Sequence, residues 1–166
     1  PEPISAVAEA KGVGRVFKLS REIWPDHPCC LVASTQQFAG EHPDILNAVT
    51  LSVLEATLFA NEEANRAEFI KTIQQLEAYG NVPTPVLNKA FSAGRADFAP
   101  YPYSSAASTV AYMMKRFMLL PGKATREEVE KAFDTDGTRK LYAQVSATPP
   151  EGDYREEMLL GKPLNF

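Results

Sequence analysis

The side chains best equipped for chemistry sit together in Trp24-Pro25-Asp26-His27-Pro28-Cys29-Cys30-Leu31-Val32-Ala33-Ser34. An imidazole two residues from a thiol is the raw material of a nucleophile and its base. Adjacent cysteines are excluded from a normal disulfide framework, and a metal would need further ligands that no spacing in this chain supplies. The plainer reading is structural. Successive side chains of a strand point to opposite faces, so at most one cysteine shares an environment with His27, and unpaired cysteines commonly behave as small buried hydrophobes. No catalytic residue, metal ligand or cofactor is assigned on these grounds. The other histidine, His42, precedes Pro43 and reads as a helix-entry residue.

The element that must hold these residues is a loop running into a strand. Pro25 and Pro28 rule out helix and push Trp24 and His27 toward extended geometry, while Cys29 to Ala33 form an uncharged run that reads as a buried strand. A shorter strand is expected at Arg15-Val16-Phe17-Lys18-Leu19, after a first helix that carries Ile4, Ala6, Val7 and Ala10 and ends at Gly12 and Gly14. Everything downstream signals helix. Pro43 and Asp44 open a long one whose Ile45, Leu46, Val49, Val53, Ala56, Leu58 and Phe59 cover more than one face, so it should be mostly buried. Asn61 should cap the next, running to Gly80 through Phe69, Ile70, Ile73 and Leu76. Thr84-Pro85 starts a short amphipathic helix, and Ser105 or Ser108 opens another that Pro121-Gly122 stops. Thr125 and Glu128 have capping-box spacing, and Asp134 or Thr135 starts a helix toward Val145. Residues 147–166, rich in Pro and Gly, read as a docking tail.

Composition narrows the classes. At 166 residues with 45% hydrophobic content, the chain suits one domain with an ordinary core. The net charge of −4, with acids and bases interleaved, offers no basic face for nucleic acid and no polybasic tract. The longest apolar run is interrupted by Asn47, Thr50, Ser52 and Glu55, which argues against a membrane span. Met113, Met114 and Met118 fit core filling better than a soft-metal site. No phosphate loop, nucleophile elbow or zinc-protease motif is found.

Four segments, in order, resemble the solute-binding proteins of ABC importers for nitrate, sulfonates and bicarbonate. They are Glu2-Pro3-Ile4-Ser5-Ala6-Val7-Ala8, the Ile23 to Ser34 stretch, Glu41-His42-Pro43-Asp44-Ile45-Leu46, and Pro100-Tyr101-Pro102-Tyr103-Ser104-Ser105-Ala106 followed by Met113-Met114-Lys115-Arg116-Phe117. The ending Met158-Leu159-Leu160-Gly161-Lys162-Pro163-Leu164 is also similar. The resemblance implies an α/β fold: the helix-rich C-terminal portion of a two-lobed, type II periplasmic-binding-protein fold. Residues 1–22 would end the second lobe and cross the hinge, 23–146 return to the first lobe, and 147–166 form the tail.

It further implies a non-enzymatic binding component, periplasmic or anchored outside the membrane, that holds a small polar solute and delivers it to an importer permease. The implied ligand contacts are the backbone around Pro1 and Glu2, with His27, Cys29 and Cys30. The family usually carries Gly where Pro1 stands and Lys near Cys30. Loss of that cation removes a charge-assisted partner for an oxyanion, so a larger or less charged solute suits the site as well as nitrate. The edge of the 29–34 strand is expected to be open and to invite self-association. Two alternatives stand beside this reading: an intracellular ligand sensor of the same fold, and an enzyme similar to the thiamine-pyrimidine synthases, whose His-Cys-Cys-Cys-Phe-Cys motif is matched in part by His27, Cys29 and Cys30.

Overall fold

The computed structural model of the protein describes residues 2–119 and 125–164. Its contacts divide it into two compact units, one made of residues 1–19 and 56–98, the other of 20–55 and 99–166. The chain therefore passes between units at three points.

The first unit is built from α1 (Ile4–Ala10), the end of α3, α4 (Arg66–Ile73), α5 (Glu77–Gly80) and α6 (Thr84–Ala90). Ala6, Ile70, Leu87, Ala90 and Phe91 form its core, with Phe69, Ile73, Tyr79 and Val82 packed against them. Phe91 meets Phe69 edge-on at 5.2 Å between ring centroids and stacks on Phe98 at 6.2 Å, the offset geometries that ring quadrupoles favour. Thr84-Pro85 starts α6 as the sequence indicates, because Pro at an early helical position sacrifices no needed donor.

The second unit contains α2 (Gln36–Glu41), most of α3 (Pro43–Asn61), α7 (Ser104–Arg116), α8 (Arg126–Glu130) and α9 (Thr135–Tyr142). Thr125 and Glu128 form both arms of the expected capping box, and the Asp134 carboxylate accepts from the Gly137 N–H at 2.8 Å to cap α9. The tail contributes the only ladder among the described residues, an antiparallel pair of β1 (Met158–Leu159) and β2 (Lys162–Pro163). Its two-residue turn places Leu160 and Gly161 at φ of +52° and +75°, the left-handed pairing that suits a tight hairpin.

Several expectations are corrected. Neither residues 15–19 nor 29–33 form a strand: no ladder partner for them exists among the described residues, and apolar composition alone cannot make one. Asn61 is the last residue of α3 rather than a cap, and its side chain brackets the Phe98 backbone with bonds of 2.7 and 3.1 Å. The helix expected to reach Gly80 breaks after Ile73, where Gln74 turns its amide to the Val82 carbonyl at 3.0 Å. Pro121-Gly122 lies outside the described residues.

The long helix α3 is also mostly exposed instead of buried. Only Leu54 and Ala60 are buried, while Ile45, Val49 and Val53, four residues apart on one stripe, keep 48%, 47% and 44% of their surface. At 19 residues and a mean hydropathy of 1.2, α3 is the one helix among those described that is long and apolar enough to cross a membrane, so the polar interruptions do not exclude a span by length and composition.

Candidate ligand-binding loop

Residues 23–34 of the second unit hold His27, Cys29 and Cys30, and the loop is fastened at its entry. A short 3₁₀ turn at Ser20–Glu22 precedes it, and the Trp24 N–H donates back to the Ser20 carbonyl at 2.9 Å. The Trp24 ring is buried and its indole N–H donates to the Glu157 carboxylate at 2.6 Å. Glu157, itself 4% exposed, also accepts from Ser105 at 2.8 Å and from the Arg155 guanidinium at 2.9 Å. A buried carboxylate is tolerated only when so satisfied.

Arg155 reaches onward to the loop. Its guanidinium donates to the Asp26 carbonyl at 2.7 Å and lies over the Tyr103 ring at 4.6 Å. Asp26 sits at φ +51°, a left-handed conformation that Asp tolerates better than most residues, and it turns the chain toward His27. The Leu160 N–H closes the attachment by donating to the Ile23 carbonyl at 2.7 Å. Three tail residues thus position the loop. A charged pair spaced by one residue in the extended tail was the sole sequence signal for this, and it does not reveal a partner 133 positions away.

His27 is half-buried, with Nδ1 3.1 Å from the Trp24 carbonyl. A carbonyl only accepts, so Nδ1 donates to it and Nε2 is left for another partner. Beyond it, Cys29 and Cys30 are both exposed, which corrects the buried reading. Their sulfurs are 3.9 Å apart, the Cys30 thiol facing that of Cys29, so they share an environment rather than occupying opposite faces. The hydrogen bond and charge of Cys30, then burial, hold the Cys29 thiol above its ordinary pKa.

The remaining expected contacts belong to the first unit. Pro1 lies outside the described residues. The Glu2 carboxylate accepts from the Ala6 N–H at 3.0 Å and from Arg95 at 2.6 Å, so its side chain is committed to starting α1 and to an ion pair. Arg95 also bonds Glu9 at 2.8 Å. The Val16 N–H, Lys89 and Arg95, in that order of effect, hold the Glu9 carboxyl down at about 2.

Elsewhere in the second unit, Arg139 ties Tyr101 to Asp153 and the Pro150 carbonyl. Burial, then the Asp153 contact, push the Tyr101 phenol up to about 12. Among the described residues no group of three or more His, Cys, Asp or Glu side chains could hold a metal ion.

The fold is shared with part of a solved binding protein. The crystal structure of the periplasmic nitrate-binding protein NrtA from Synechocystis PCC 6803 superimposes on 96% of this chain with a TM-score of 0.78 at 20% identity. In sequence, residues 1–74 match the model of the NMT1-like family. The bicarbonate-binding protein CmpA is 31% identical over 75 residues in one Synechococcus strain and 29% identical in Synechococcus elongatus, in each case over 45% of this chain. The likeness is thus to a nitrate binder in fold and to bicarbonate binders in sequence. The chain spans about half, 48%, of the NrtA chain, and the stretch shared with CmpA is 16% of that protein. Each of these relatives is named as a binding protein.

Proposed function

We propose that the chain is part of the solute-binding component of an ABC importer, presenting a small polar solute such as nitrate, bicarbonate or a sulfonate to a membrane permease from the periplasmic side. The observation that carries this reading is the superposition on a nitrate-binding protein along 96% of the chain, joined to the independent sequence match with bicarbonate binders. From the fastened loop, the solute contacts are His27, Cys29 and Cys30.

Two features of the loop support that role. His27 Nδ1 is already bonded to the Trp24 carbonyl, which orients the ring and leaves Nε2 for a solute. Cys30 offers no charge, so binding of an anion relies on backbone N–H donors, and a weakly charged solute is suited to the loop. Residues 29–34 form no strand, and their backbone, without a ladder partner among the described residues, is open to pairing with a second chain.

A thermal-shift screen tests the reading. A ligand that binds the folded state alone raises stability by about 2.7 kcal/mol at one hundred times its dissociation constant. Nitrate, bicarbonate or a sulfonate should raise the unfolding temperature of the protein in a saturable way, and His27→Ala should blunt the rise. A shift produced by a pyrimidine and by none of these solutes would replace transport with the enzyme alternative.

A further inference from the structure

Cys29 and Cys30 are neighbours in the chain, both exposed, with sulfurs 3.9 Å apart and one thiol aimed at the other. We propose that they form a reversible dithiol–disulfide centre, a redox modification site that closes an intraresidue-pair ring within the loop. Adjacent Cα atoms are about 3.8 Å apart, below the range of about 4.4–6.8 Å of ordinary disulfides, so the ring is strained and readily reduced. Exposed, strained disulfides are the labile kind, as opposed to structural staples.

The surroundings permit the change. Closing the S–S bond to about 2.05 Å requires the sulfurs to approach by about 1.9 Å and the local backbone to twist. Residues 28–34 have no backbone ladder among the described residues, so no sheet bond has to break. The fastened part of the loop ends upstream, at the Arg155 bond to the Asp26 carbonyl and the His27 bond to Trp24.

The co-reactant is a small-molecule disulfide. One cysteine thiolate attacks it, forming a mixed disulfide and expelling the first small thiol; its neighbour then attacks the cysteine sulfur of that mixed disulfide and expels the second. The S–S bond of the oxidant is replaced by the Cys29–Cys30 bond, and the two electrons and two protons from the cysteines end on the two released thiols. A small dithiol reverses the sequence.

Titration of the reduced protein with glutathione disulfide, acid quenching and intact-mass analysis tests this. The expected product is a monomer lighter by two hydrogens, carrying no glutathione and restored by dithiothreitol. Cys29→Ser and Cys30→Ser should each stop at a single mixed disulfide. The native chain should also close its ring at a lower oxidant ratio than the urea-unfolded chain. Accumulation of stable glutathione adducts on the unsubstituted protein, disulfide-linked dimers, or equal closure in urea would overturn the proposal.

Discussion

Replacing Glu157 by Ala removes the acceptor shared by Trp24, Ser105 and Arg155 and leaves the indole N–H and the Ser105 hydroxyl in a buried site. Each orphaned neutral donor costs about 1–3 kcal/mol, and the hydroxyl falls at the low end because it can rotate. Arg155 keeps its bond to the Asp26 carbonyl and is 21% exposed, so water compensates part of its loss. The sum is about 3–5 kcal/mol, the range found when one member of a buried charged pair is deleted. For a chain of this length each kcal/mol shifts the unfolding temperature by about 2–4 °C. Trp24 is the single tryptophan, so its emission during urea unfolding reports the site directly. Trp24→Phe, which keeps the carboxylate with its other partners, should cost about 1–2 kcal/mol by circular dichroism, and the double variant should fall short of the sum. A Glu157→Ala cost below about 1 kcal/mol would show that the tail does not hold the loop.

Other outcomes follow from the same contacts. Leu87 is completely buried in the first unit, so Leu87→Ala should lose about 2–5 kcal/mol; a cost below that range, measured by circular dichroism, would mean that the core around it collapses or is wet. Glu130 feels burial, which raises its pKa, but bonds from Ser108, Tyr154 and Arg126 prevail and hold it at about 2, like Glu9, against an ordinary value of 4.5. Depressed carboxyls stabilise fully above their unfolded pKa and lose that contribution as the pH falls through the folded value, so urea midpoints should drop between about pH 4.5 and 2. Glu9→Gln and Glu130→Gln together should flatten that acid limb, and an unchanged limb would contradict the assignment.

What the sequence made legible was local chemistry. The Thr125 and Glu128 box, the Thr84-Pro85 start and the Pro43-Asp44 start each involve groups within one helical turn, and each is found where its residues indicate. Strand formation and burial are different in kind, since both depend on what lies opposite. Val32 and Leu31 have the composition of a buried strand yet are 47% and 54% exposed, and Phe17 is 94% exposed. The α3 stripe repeats the lesson: Ile45, Val49 and Val53 have a core-like period, but among the described residues nothing packs on them closely enough to bury them. Composition reports only that such surfaces are suited to burial. The candidate loop divides along the same line. Its prolines and thiols were visible as a motif, whereas the buried Glu157 that holds Trp24 depends on a contact across 133 positions that no periodicity encodes. The residues that carry ligand chemistry are therefore read from the loop itself, and the residues that fix its geometry only from the fold.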